Sequence, residues 1–223
     1  MFKLLIRSLK DAIHPKIIFY SFVPMILSAL ILWGVFSAFE DTLKDYIISF
    51  ASYIPFIPEE WIANITESFV GIFIFYQFWM MLALILVGVI SDQVVEFVNN
   101  RYYHIEKNGF GSMVGSIVVA LKSTALYMIL FIITSPLLFV PILNFIVQIM
   151  LWMVMLKAPM YYDSCAFYLS KEEFNAIKTK HKMELKFVTF VSSLLFLIPF
   201  LGVLLYIVQL IMFTHFSLSK VRK

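Results

Sequence analysis

The chain has 223 residues, of which 62% are hydrophobic and 14% are charged, with a net charge of +3. This composition excludes a soluble globular domain and a disordered chain, and the length allows a single membrane domain. The basic residues flank apolar stretches and form no patch typical of nucleic-acid-binding proteins, so no nucleic-acid partner is expected.

Residues 1–13 have helical periodicity. Apolar residues share one face of this segment and basic residues share another: Phe2, Leu5, Ile6, Leu9 and Ile13 on the first, and Lys3, Arg7 and Lys10 on the second. The pattern predicts an interfacial helix that lies on an anionic membrane surface.

Two apolar stretches are long enough to cross a bilayer, which needs ~20 residues. They are residues 17–39, where Pro24 predicts a kink, and residues 68–91. We expect each to form a transmembrane helix. The polar connection between them, residues 40–67, carries six acidic residues and a single lysine, Lys44.

Two further apolar stretches, residues 123–156 and 187–219, are interrupted by helix breakers. These are Pro136 and Pro141 in the first and Pro199 and Gly202 in the second. Each stretch is predicted to form a helix, a tight apex and a returning helix. The arms of the first would be ~20 Å and ~24 Å long, shorter than the ~30 Å hydrocarbon core, so such a hairpin would enter the bilayer only partly. Its apex must be covered by protein or line a wet cavity.

The two hairpins also resemble each other. LLFVPILN precedes IVQIML in the first, and LLFLIPFLG precedes IVQLIM in the second. This indicates an internal repeat in parallel order; two ordinary helical pairs with prolines at their turns are the alternative. The fold class is thus an all-α integral membrane protein, with residues 1–223 forming one domain.

The distribution of charge predicts the orientation. Lys44 is the one residue among 17 lysines and arginines that lies in the first polar connection. Because cytoplasmic loops are enriched in lysine and arginine, this connection is expected outside and both termini in the cytoplasm.

Five short segments carry a resemblance to a known family: SYIP at 52–55, VPILN at 140–144, YYDSCAF at 161–167, IKTKHK at 177–182 and IPFLG at 198–202. In these segments and in the order of its spans, the chain resembles the CysZ sulfate permease family, within the wider etoposide-induced-protein domain superfamily. The resemblance implies a homo-oligomer in the bacterial inner membrane that passes sulfate inward for cysteine synthesis.

The chain departs from this family at its sulfate-binding motif, Gly-Leu/Ile-Arg-Arg after a proline. Here the matching stretch is Pro15-Lys16-Ile17-Ile18-Phe19. Lys16 is the only basic group left in it. An arginine presents a planar fork to an oxyanion, whereas a lysine is a point charge.

Other candidate binding residues are polar groups in or beside the hairpins. Asn144, Gln148 and Gln209 would line a pore, or else cap helices or bond between them. Asp163 would act as a proton relay, or else form an interfacial salt bridge with Lys157. No catalytic residue, metal site or cofactor is expected.

The sequence therefore predicts a channel or permease for a small solute, sulfate or another inorganic anion, with passive or ion-coupled movement. The alternative is a non-transporting membrane scaffold or assembly protein that keeps the fold. The lysines of 178–186 are interpreted as contacts to lipid headgroups, or as a funnel for anions.

Overall fold

The computed structural model describes residues 2–39, 42, 71–197 and 205–221. These residues form eight α-helices and no strand. The helices are α1 (Phe2–Ala12), α2 (Pro15–Ala38), α3 (Gly71–Tyr102), α4 (Met113–Thr134), α5 (Pro141–Cys165), α6 (Lys171–Lys180), α7 (Lys182–Leu194) and α8 (Tyr206–Leu218). The predicted all-α membrane fold is confirmed.

Four helices are long and apolar enough to span a membrane: Pro15–Ala38, Phe75–Tyr102, Met113–Leu137 and Ile142–Cys165. The protein is therefore a multi-pass membrane protein. The predicted transmembrane helices correspond to α2 and α3. Since α3 has 32 residues, it is ~48 Å long and outlasts the ~30 Å hydrocarbon core, so its last turns extend beyond it.

The first hairpin consists of α4 and α5. A 3-10 helix, Ser135–Phe139, forms its apex and contains Pro136, and Pro141 is the first residue of α5. The arms have 22 and 25 residues and are longer than predicted. The helices continue through Lys122 and Lys157, whose long side chains allow the charge to reach the headgroups. Both arms of this hairpin are therefore long enough to cross the bilayer fully.

The second hairpin consists of α7, a 3-10 turn at Leu195–Leu197, and α8. Its predicted apex residues, Pro199 and Gly202, lie outside the described residues. Every residue of α8 is buried. A helix of 13 residues is only ~20 Å long, and its burial within protein agrees with a helix that is apolar on all sides.

A stack of aromatic rings joins the hairpins at the core. The ring centroids of Tyr127 and Trp152 are 5.2 Å apart, those of Trp152 and Phe196 are 5.1 Å apart, and those of Phe196 and Tyr206 are 4.9 Å apart. The Tyr206 hydroxyl donates a hydrogen bond of 2.7 Å to the Met80 carbonyl. The stack and this bond hold α3, α4, α5 and α8 in one body.

The N-terminal helix α1 is attached to this body by polar residues. Its Ser8 and Asp11 are fully buried, whereas Ile6, Leu9 and Ile13 are exposed. These three apolar side chains are thus free to lie in a membrane surface, as an interfacial helix requires, whereas Leu4 and Ala12 pack against the core. That placement stays a prediction.

The ends of several helices meet on one side of the bundle. Arg101 contacts Asp11, Tyr103 contacts His215, Gly109 contacts Phe167, and Lys220 contacts Glu184. We call this side, defined by these four contacts, the basic end. The predicted topology places the same segments together on one side.

Candidate anion cleft at the basic end

A polar cleft of about 510 Å³ opens at the basic end between the start of α2 and the last turns of α3. Its lining consists of His14, Lys16 and Tyr20 from α2 and its cap, and of Gln93, Glu96, Phe97, Asn100 and Arg101 from α3. Lys16, the predicted anion-binding residue, is therefore found in a cleft of a size typical of ligand sites.

Local structure around His14 positions Lys16. His14 caps α2, and its Nδ1 accepts a hydrogen bond of 3.4 Å from the Lys16 backbone N–H. Pro15 follows at the first helical position, where a missing donor costs nothing. The His14 ring packs 4.8 Å from the ring of Phe97, so the start of α2 is held against α3. The Lys16 side chain remains exposed in the cleft.

Arg101 is a second basic residue in the cleft, and sequence reasoning missed it. It lies far from Lys16 in the chain, in the last turn of α3, and only the packing of α2 against α3 brings the two together. Its side chain is 51% exposed, and its Nη1 donates a hydrogen bond of 3.0 Å to Asp11 Oδ1. A guanidinium has five N–H donors, so this bond leaves others for a ligand.

The two basic residues of the cleft lining outnumber its one acid, although Arg101 is also paired with the buried Asp11 behind the cleft. Lys16 and Arg101 contribute two positive charges, and Glu96 contributes one negative charge. An oxyanion entering the cleft would meet the planar guanidinium of Arg101 and the point charge of Lys16. The sequence next to Lys16 contains no guanidinium of its own.

A network of hydrogen bonds around the buried Asp11 holds Arg101 in position. The Asp11 carboxylate is fully buried; its Oδ1 also accepts a bond of 2.8 Å from the Tyr102 hydroxyl, and its Oδ2 accepts one of 3.1 Å from His215 Nε2. With that proton on Nε2, His215 Nδ1 accepts from the Tyr103 hydroxyl at 2.8 Å. Such multiple bonds are what a buried carboxylate requires. Sequence reasoning missed Asp11 because it resembles any other polar residue of an amphipathic helix.

Asp163 is buried in a different environment. Its side chain is fully buried, neither carboxylate oxygen makes a hydrogen bond of regular geometry among the described residues, and the Ser116 side chain is a polar neighbour that interacts with it. Gly88 of α3 and Ser116 of α4 lie beside it: a Cβ added to Gly88 would lie 3.4 Å from Asp163 Oδ2 and 3.4 Å from the Ser116 Cβ.

The predicted salt bridge between Asp163 and Lys157 is not among the ion pairs of the described residues, and this alternative was wrong. The two residues lie on the same helix, α5, six positions apart. At 100° per residue this spacing turns the two side chains to different faces.

The neighbours of Asp163 in the YYDSCAF segment have structural contacts. The Tyr161 hydroxyl donates to the Phe174 carbonyl at 2.8 Å, and the Tyr162 hydroxyl accepts from the Ser112 N–H at 3.2 Å. The hydroxyls of Ser164 and Ser217 are 3.2 Å apart. These bonds hold α4, α6 and α8 around the end of α5, so Asp163 is the polar residue of the segment that this framework leaves without a hydrogen bond of regular geometry among the described residues.

The remaining predicted binding residues do not join the cleft. Gln148 and Gln209 are buried on the returning arms of the two hairpins, and their side-chain amides have no partner among the described residues. Asn144, in the first turn of α5, and Asp163, in its last turn, are roughly 28 Å apart at ~1.5 Å per residue. The structure therefore separates Lys16, in the cleft at the basic end, from these polar groups of the hairpins.

Comparison with known proteins gives one match. The family model described as "Sulfate transporter CysZ/Etoposide-induced protein 2.4" matches residues 4–206. No curated protein matches the chain, and no solved structure matches it. The matched range covers both transmembrane helices, the first hairpin and the start of α8. The chain belongs to the sulfate transporter CysZ/etoposide-induced protein 2.4 family.

Proposed function

We propose that this protein is a permease or channel for sulfate or another inorganic oxyanion, and that the cleft holding Lys16 and Arg101 is its anion entry site. The convergence of these two residues in one cleft carries the proposal. The family, which is one of transporters, supports the general function. The choice of an oxyanion depends on the chemistry of the cleft.

The position of the cleft supports an anion site. In the family that the sequence resembles, the sulfate motif follows a proline at the start of the first span. Pro15 is retained here, and its two neighbours, His14 and Lys16, both line the cleft. Arg101, from α3, supplies the guanidinium that the local motif has lost.

The interior of the bundle offers partners for a partly dehydrated ion. The amides of Gln148 and Gln209 are buried donors without partners among the described residues. Asp163 is a buried acid without a counter-charge among them, and intramembrane acids of this kind act as proton relays in transporters. These groups favour movement of the anion coupled to an ion over purely passive movement.

The proposal includes the cellular setting. The protein would be a homo-oligomer in a bacterial inner membrane, with its basic end and both termini in the cytoplasm. The distribution of lysine and arginine supports this orientation.

Anion binding tests the proposal directly. Thermal unfolding of the detergent-purified protein is measured with increasing sulfate, against chloride at equal ionic strength. Wild type should be stabilised by sulfate, because a ligand that binds only the folded state raises its stability. Lys16→Ala and Arg101→Lys should each weaken this response about tenfold in sulfate concentration, since a charged hydrogen bond is worth ~1.5–3 kcal/mol.

Lys171→Ala is the matched control, because Lys171 is an exposed lysine on α6 that does not line the cleft. Its response should equal that of wild type. If Lys16→Ala and Lys171→Ala respond alike, the cleft is not the anion site. If sulfate does not stabilise the wild type at all, the scaffold function becomes the better account.

A further inference from the structure

Four lysines lie on three helices that follow one another in the chain: Lys157 on α5, Lys178 on α6, and Lys182 and Lys186 on α7. Lys157 is half-buried near the end of α5, and the charges of Lys186, Lys178 and Lys182 all act on it. None of the four has an ion-pair partner among the described residues. Clustered positive charges without acids repel one another, so an anion at this position would stabilise the protein.

An apolar groove of about 530 Å³ adjoins this cluster at Lys186. It is lined by Met153 of α5 and by Met183, Glu184, Lys186, Phe187 and Phe190 of α7. Met183, Phe187 and Phe190 are 73%, 49% and 40% exposed. They follow one another at spacings of four and three residues, so they form a single stripe along the helix.

Along both helices the positions of charged and apolar side chains correspond to the headgroup and the acyl chain of a lipid molecule. On α5 the chain passes from Met153 to Lys157 as it leaves the apolar segment, and on α7 it passes from Lys182 and Lys186 to Phe190 as it enters one. Lys157 therefore lies nearer the basic end than Met153, and Lys182 and Lys186 lie nearer to it than Phe187 and Phe190, while Met183 lies level with the lysines. A headgroup phosphate and an acyl chain have this same arrangement relative to the bilayer.

Glu184 is the single acid in the groove lining, and its charge is already compensated. Lys220 Nζ donates a bond of 2.6 Å to its Oε2, and His181 Nδ1 lies 2.6 Å from its Oε1. The hydrogen bonds from Lys220 and from His181 hold the pKa of Glu184 below its ordinary value. The four lysines consequently determine the charge that a ligand meets.

From this arrangement we propose that the lysine cluster and the groove form one binding site for an anionic phospholipid. The phosphate would bind between Lys157, Lys182 and Lys186, and an acyl chain would lie over Met153 and Phe187. The site is separate from the anion cleft and does not depend on the transported solute.

Native mass spectrometry of the detergent-purified protein tests the site with two probes of equal chain length, phosphatidylglycerol and phosphatidylcholine. Phosphatidylglycerol should bind more tightly. Lys182→Gln/Lys186→Gln should weaken its binding by about thirtyfold, or ~2 kcal/mol, at ~1 kcal/mol for each lysine near an anionic surface. Lys171→Gln/Lys180→Gln removes the same charge from α6 and should leave binding unchanged. Lys186→Arg, which keeps the charge, should also retain binding.

The groove and the identity of the ligand have separate tests. Met153→Trp should fill the groove and weaken phosphatidylglycerol binding, whereas Met150→Trp, outside the groove lining, should not. Excess inorganic phosphate should fail to displace the lipid. Equal binding of the two lipids, equal losses in the two lysine pairs, full binding by Met153→Trp, or displacement by phosphate would each overturn the proposal.

Discussion

Gly109 shows how little room the basic end leaves for a side chain. Gly109 and Gly111 lie in the connection between α3 and α4, where the chain passes against residues 166–167. Gly109 N–H donates to the Phe167 carbonyl at 2.9 Å, and Gly111 N–H donates to the Ala166 carbonyl at 2.7 Å. A glycine needed for close contact and a glycine in a flexible loop look the same in one sequence, because the neighbouring chain is 50 or more residues away.

Gly109→Ala should destabilise the protein. The new Cβ would lie 2.2 Å from the Ala166 carbonyl oxygen and 2.4 Å from the Phe167 carbonyl carbon, both backbone atoms that are held in place. We expect a loss of ~1–3 kcal/mol, seen as a lower Tm in detergent. Gly34→Ala is the control: nothing lies within 4 Å of its Cβ position, and alanine favours a helix interior by up to ~1 kcal/mol. A Gly109→Ala protein as stable as Gly34→Ala would refute the close packing.

Asp163→Asn should stabilise the folded protein. The amide has nearly the shape of the carboxylate and carries no charge, so the cost of burying an unpaired carboxylate disappears. At pH 8 we expect a gain of ~1–3 kcal/mol in the free energy of unfolding, measured by thermal melting. Asp92 pairs with Lys107 and is 28% exposed. Asp92→Asn should therefore change the free energy of unfolding by no more than ~0.5 kcal/mol. Destabilisation by Asp163→Asn would mean that the charge has a partner after all.

At the scale of helices, the sequence patterns predicted where the helices lie, but they did not predict whether lipid or protein covers each helix. The transmembrane segments and the proline apex at Pro136 and Pro141 followed from charge-free length and from the chemistry of proline. The burial of α8 could not be predicted in this way. A segment that is apolar on every side has the same pattern whether lipid or protein covers it, so hydrophobicity alone could not identify α8 as the central helix.

The attachment of α1 depends on one buried carboxylate. Asp11→Ala removes the acceptor of Arg101, Tyr102 and His215 at once and should cost about 3 kcal/mol. Thermal unfolding gives the total loss, and protease cleavage within α1 reports its release from the bundle. Asp92→Ala breaks a partly exposed aspartate–lysine pair instead, and we expect a loss below ~1 kcal/mol. Equal losses would show that the Asp11 network does not hold α1.

For the molecule as a whole, the candidate site arises from tertiary structure. Lys16 was predictable because it stands in the altered family motif, but Arg101 joins it only once α2 packs against α3. A single sequence contains no information on which of several basic residues at helix ends will face Lys16. The motif in the sequence therefore pointed to Lys16 alone, whereas the fold brings Arg101 into the same cleft.

Uptake of radiolabelled sulfate into liposomes containing the purified protein tests the central claim most directly. Empty liposomes and liposomes with Lys16→Ala, Arg101→Lys and Lys171→Ala are compared at equal protein content. We predict uptake with wild type and Lys171→Ala, and a large reduction with the two cleft variants. Folded, inserted wild-type protein that gives no more uptake than empty liposomes, or cleft variants that match wild type, would contradict the account.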